Sequence, residues 1–121
     1  MKMLLRWLLT LVALLALLLA GPVWLLASNQ VNTDGHWSSL DRSSAGIAPS
    51  PAAYSEAVVQ VYSARAYNWR GAFGEHIWIA TKAEGADSYR LHQVLSWRRP
   101  TVVSSIDTPD RAWFGNPPTL L

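Results

Sequence analysis

Between Trp7 and Ala27 the chain runs "WLLTLVALLALLLAGPVWLLA", twenty-one residues without a charged side chain. As a helix rising about 1.5 Å per residue, this run measures about 31 Å, the thickness of a bilayer's hydrocarbon core. A span of that length and purity fits poorly inside a small soluble fold, so it fixes the organisation of everything after it. Lys2 and Arg6 precede or flank the run. The positive-inside rule holds them on the cytoplasmic side and sends Ser28 and the remainder outward. Trp7 and Trp24 lie near its two ends, where indole rings favour the membrane interface.

A secretory signal peptide is the competing reading. Gly21 and Pro22 interrupt the run after fourteen residues, Trp7 to Ala20, which suits a signal's apolar core. Against it, Leu26-Ala27-Ser28 offers a leucine where cleavage needs a small residue. Pro22 removes one helical hydrogen bond, a loss that membranes tolerate. We therefore expect residues 1–28 to be a membrane anchor or uncleaved signal, with a single pass through the inner membrane and the C-terminal domain in the periplasm.

The rest of the chain has room for one small domain. Its 121 residues include no cysteine, which excludes disulfides, thiolate metal sites, thiol nucleophiles and a lipid-modified cysteine. Seven tryptophans are many for this length, and large aromatics bury much area at low entropic cost. From Ser28 onward eight cations face eight carboxylates, so the net charge of +2 belongs to the leader. A neutral domain lacks the basic face that displaces phosphate counterions, and no nucleic-acid partner is expected.

Residues 29–53, rich in Ser, Asn, Asp, Gly and Pro, read as a flexible linker. Trp37, Leu40 and Ile47 mark places where it could lie against the domain. Residues 54–121 read as strands. "AVVQVYSARAY" is β-branched and aromatic, and "YNWRGAFG" breaks it with glycines at 71 and 74. "HIWIATK" puts His76, Trp78, Ala80 and Lys82 on one face and Ile77, Ile79 and Thr81 on the other. "YRLHQVLSWR" alternates likewise, with Tyr89, Leu91, Gln93, Leu95 and Trp97 opposite Arg90, His92, Val94 and Ser96. The short "AEGADS" between these runs predicts an antiparallel hairpin, and "TVVSSID" fits a further strand. The fold class is therefore α+β: a transmembrane helix, a linker, and a small, mainly antiparallel sheet. Three or four strands leave one apolar face bare, so the linker, the membrane, a partner or further sequence must cover it.

No phosphate loop, His-x-x-x-His pair or Gly-x-Ser-x-Gly elbow is present, and no cofactor or metal is expected. His76 and His92 fall on neighbouring strands, close enough to suggest a metal pair that lacks a third ligand. His76 is the candidate catalytic group, a general base at a strand start after a glycine-bracketed turn. The competing role is structural, with its ring nitrogens on backbone groups near the turn and its flank on Trp78. Glu75 should point away from it. Arg70 and Trp78 are the candidate binding residues. Trp69 and Arg70, as strand neighbours, should face opposite ways, leaving Arg70 for an acidic neighbour or a ligand anion.

Along "VVQVYSARAYNWRGAFGEHIWIATK", then "GADSYRLHQVLSWR" and "WFGNPPTLL", the chain resembles an uncharacterised bacterial family, domain of unknown function thirty-seven-fifty. The likeness runs from Ala45 to Leu121. Members carry an N-terminal hydrophobic segment, as here, and their activity is unassigned. The family pattern continues past Leu121 into a second half with an Asn-Ser-Asn-Thr-Phe-like stretch. A histidine before tryptophan in the first half is similar to circularly permuted papain-like hydrolases, in which the histidine precedes the nucleophile. The resemblance thus implies an incomplete permuted papain-like fold, with His76 as base, in a chain expected to be truncated. The expected function is that of a membrane-anchored protein facing the periplasm, the N-terminal half of a hydrolase acting on an envelope peptide or lipid. The alternative is a non-catalytic docking module in the envelope.

Overall fold

The computed structural model describes all 121 residues. Helix α1 (Lys2–Ala27) contains the whole apolar run, including Pro22. None of its residues is buried, and the helix is long and apolar enough to cross a membrane. Its end is closed by Ser28, whose backbone N–H and hydroxyl both donate to the Trp24 carbonyl, at 2.9 and 2.7 Å.

The domain is a five-stranded, wholly antiparallel sheet in the order β4-β3-β2-β1-β5. Its strands are β1 (Val58–Arg65), β2 (Glu75–Lys82), β3 (Arg90–Val94), β4 (Val102–Ile106) and β5 (Thr119–Leu120). The α+β class and the expected hairpin are both present, with Trp78 opposite Gln93 and Ile79 opposite His92. "TVVSSID" supplies β4, and Thr119 and Leu120 turn back as β5 along β1. "NWRGA" is a 3-10 turn, Asn68–Ala72, between β1 and β2. Gly71 is required there, because a Cβ would stand 2.6 Å from the Ala66 carbonyl and 2.8 Å from Val31 Cγ1.

Alternation sorts the side chains as expected. Tyr62 and Ala64 from β1, Trp78 and Ala80 from β2, and Leu91 from β3 share one buried face. Tyr89, Leu95 and Trp113 complete that core. At the far end of β2, Lys82 is buried too; its ammonium donates to the carbonyls of Glu56 (2.7 Å) and Ala83 (3.4 Å). The alternation expected through Trp97 stops at Leu95, where the chain leaves β3, and Trp97 is exposed.

The cover over this face comes from the linker and the C-terminal coil together. Residues 29–53 form no helix or strand, but they are fastened to the domain. The Asp110 carboxylate accepts hydrogen bonds from the Ser44 hydroxyl (2.6 Å) and from the backbone N–H groups of Ile47 (2.5 Å) and Ala48 (2.9 Å). Backbone bonds from Ala45 to Asp110 and from Ala112 to Ser43 run alongside. Asn116 is a second tie: it accepts from the Asn32 N–H at 3.0 Å and donates to the carbonyls of Ala66 and Trp113. Gly115, at φ +83°, passes so close to the Asn32 amide that a Cβ would have to push that side chain aside.

Candidate functional site

The open end of the buried face, where β2 begins and β3 ends, is a cleft of about 850 Å³. His76 stands on one wall, with the C-terminal coil at Arg111–Phe114 and the Ser96–Arg98 loop around it. The 3-10 turn contributes Arg70, and the linker contributes Trp37 and Arg42.

His76 Nε2 lies 2.8 Å from the Gln93 side-chain oxygen. Gln93 is diagonal to His76 across the β2–β3 pair, a spacing that long side chains bridge. With a carbonyl oxygen facing it, Nε2 carries the hydrogen, and Nδ1 holds the lone pair. No side-chain nitrogen or oxygen is both buried and unpartnered, so Nδ1 opens to the cleft. The imidazole stacks on Trp113, ring centroids 3.7 Å apart at 16°, and less closely on Trp78 at 5.7 Å. Burial pushes the His76 pKa down; the Gln93 bond opposes this and the nearby Arg111 charge adds to it, with a net lowering. The ring is therefore neutral at pH 7, and its exposed nitrogen is a proton acceptor.

The other predicted residues are partly brought together. Arg70 lines the same cleft. Its guanidinium lies 4.9 Å from the Trp69 ring, because the two are neighbours in a 3-10 turn and not in a strand, so the expected opposition of their side chains does not occur. No carboxylate pairs with Arg70. Trp78 lies beneath His76 in the core, 2% exposed, and its indole N–H donates to the Pro109 carbonyl at 2.7 Å. Glu75 turns away to Arg65, directly opposite it on β1, at 3.6 Å. His92 lies on the other face of the sheet from His76, bonded to Thr81 and Ser104, so the two histidines cannot share a metal. No group of three metal-ligating side chains converges elsewhere.

Gln93 and Trp113 are the residues that sequence reasoning missed. Gln93 shares the alternation face of the expected hairpin, but only the register puts it beside His76. Trp113 lies in a proline-rich segment with no periodicity to read.

Around the cleft Arg42, Arg70, Arg98 and Arg111 oppose one carboxylate, Glu75. Arg111 is held by Asp107 at 2.7 Å, and Glu75 by Arg65. Three guanidinium groups thus remain without a carboxylate partner among the aromatic walls. Arg42 lies over the Phe114 ring at 4.5 Å.

The family described as "Protein of unknown function (DUF3750)" matches residues 56–121, from just before β1 to the last residue. The chain belongs to this family. The match contains His76, Gln93, Trp113 and both walls of the cleft formed by the sheet and the C-terminal coil. Comparisons with curated proteins and with solved structures return no match.

Proposed function

We propose that this family member is anchored by α1 in the inner membrane with its sheet domain in the periplasm, and that its cleft takes an envelope peptide or lipid. The orientation rests on Lys2 and Arg6 at the start of the span. In this reading His76 is the proton acceptor of a papain-like hydrolytic site, and Gln93 is its orienting partner. The observation that carries it is the 2.8 Å bond from Nε2 to Gln93, which leaves a neutral imidazole with Nδ1 toward the cleft. A base held by a third polar group is the arrangement nucleophilic catalysis uses. The unpaired arginines favour a ligand that carries negative charge.

A docking module is the second reading. It is favoured by the three guanidinium groups that stand without a carboxylate partner among the aromatic walls of the cleft, an arrangement that holds an anion without any bond to His76. Full-length protein in liposomes, incubated with cell-wall peptides and with envelope lipid extract, separates the two by mass spectrometry. Cleavage that His76→Ala abolishes supports the hydrolase. Retention of an acidic component without cleavage, unaffected by His76→Ala and lost on Arg98→Ala, supports docking. Neither retention nor cleavage sinks both.

A further inference from the structure

α1 does not stand clear of the domain. Along its length only Pro22 and Leu25 are half-buried, followed by Ser28 at the same three-residue spacing. That spacing makes one stripe on one side of the helix. α1 contacts the 3-10 turn Asn68–Ala72, and Val31, just past the helix end, packs on Gly71 of the same turn. Pro22 lies five residues before Ala27, or about 8 Å along the axis. If Trp7–Ala27 fills a hydrocarbon core of about 30 Å, the stripe lies inside the outer boundary of the bilayer. The turn that packs beside it is then held at the depth of the headgroups.

The side chains at the turn suit that depth. Trp69 and Phe73 are 54% and 61% exposed and meet edge to face at 6.1 Å. Two large aromatics displayed to water by one short turn are unexplained by packing, since neither belongs to the core. Arg70 lies between them in sequence, over the Trp69 ring and without a carboxylate partner. Trp24, exposed on α1, is at the same level of the helix. Indole and phenyl rings with an arginine are the side chains that settle at a membrane interface, the rings among the upper acyl chains and the guanidinium at the phosphates.

We propose that Trp69, Arg70 and Phe73 form a second membrane contact, seated in the headgroup layer of the bilayer that α1 crosses. This rests on the reading of α1 as an uncleaved anchor. It goes further in giving the domain a fixed posture: because Arg70 also lines the cleft, the cleft opens at the lipid surface.

The lack of cysteine makes the test direct. Single substitutions Trp69→Cys, Phe73→Cys, Leu15→Cys and Val102→Cys in the full chain each carry one nitroxide label. The proteins are placed in vesicles of phosphatidylethanolamine and phosphatidylglycerol. Collisions with oxygen, which partitions into lipid, are compared with collisions with a water-soluble nickel chelate. Leu15 lies mid-span, and Val102 is exposed on β4 at the far edge of the sheet. The expected result is a label at 69 and at 73 largely shielded from nickel, between the fully shielded Leu15 label and the open Val102 label. Labels at 69 and 73 as open as Val102, with Leu15 still shielded, overturn the second contact and leave the anchor standing. A nickel-accessible Leu15 label overturns the anchor and the second contact together.

Discussion

The two faces of the sheet have nearly the same apolar content in sequence and opposite fates in the fold. One carries Tyr62, Trp78, Ala80 and Leu91, all 2% exposed or less. The other carries Val59, Ile77, Ile79, Val94, Val102 and Ile106, each 42% exposed or more. Alternation alone does not say which face becomes the core. The choice is made by the cover, and the cover is held by two polar residues, Asp110 and Asn116, that tie the linker and the C-terminal coil across one side only. The site lies on the covered face because only there does a wall stand over the sheet.

The largest expected effect is on that face. Trp78→Ala removes a buried indole and the bond to Pro109, and should cost about 3–5 kcal/mol in thermal or denaturant unfolding of the detergent-solubilised chain. A cost below about 1 kcal/mol would show that the face is not the core.

Next comes the tie itself. Asp110→Ala leaves two backbone N–H groups, at Ile47 and Ala48, without their acceptor, and should cost about 3 kcal/mol. Limited proteolysis should then cut within residues 41–50, which the wild type protects. The pH dependence follows from the same bonds. Burial raises the Asp110 pKa, but the bonds from Ser44, Ala48 and Ile47 outweigh it and the net pKa lies below 3.8. A carboxyl with a depressed folded pKa contributes stability above its unfolded value, which is lost as pH falls through the folded value. The melting temperature should therefore drop below about pH 4, and Asp110→Asn should flatten that drop. Tyr62, pushed up to about 12 first by burial and then by the Asp110 charge, stays neutral throughout.

Gly115→Ala is expected to cost about 2 kcal/mol, from the strain of φ +83° and the clash with Asn32. Because Asn32 precedes the part of the linker held by Asp110, its effect should add to that of Asp110→Ala. Strong non-additivity would mean that the two ties form one cooperative latch.

How far the sequence carries this contrast depends on the segment. The faces of β2 and β3 are legible because a period of two runs through "HIWIATK" and "YRLHQVLSW", and both strands obey it up to Leu95. The apolar leader is legible from length and purity. The cover is not: Asp110, Asn116 and Trp113 act through long-range bonds and stacking, from a coil with three prolines and no repeat. The 3-10 turn was legible as a break but not in geometry, which is why Trp69 and Arg70 stack where strand neighbours would diverge. The same limit applies to the site. His76 stands out by residue type, whereas Gln93 becomes its partner only through a diagonal register that the loop alone does not fix.

His76 sharpens the comparison at the open end of the covered face, with a smaller effect. Its pKa is lowered mainly by burial, so protonation favours the unfolded chain. Its contribution is constant above the unfolded value of 6.5 and declines as pH falls from there toward the folded value. His76→Gln should remove that decline while leaving the acid limb from Asp110. Nuclear magnetic resonance titration of the imidazole should give a pKa below 6.5, falling further when Gln93→Ala removes the bond that opposes the effect of burial. A value at or above 6.5 in the wild type would mean that the ring is solvated, and the neutral base with it would go.

The smallest expected change lies on the bare face. Ile79→Thr keeps a β-branched side chain in the strand at a position 42% exposed, so unfolding should shift by no more than about 0.5 kcal/mol. Leu91→Ala, on β3 one strand away and 2% exposed, should cost about 2–5 kcal/mol by the same measurement. The ratio is the test of the asymmetry. If Ile79→Thr costs as much as Leu91→Ala, something in the sample packs on the outer face. Repeating the measurement over a range of protein concentrations then tells self-association from cover by detergent, since only the former makes the cost depend on concentration.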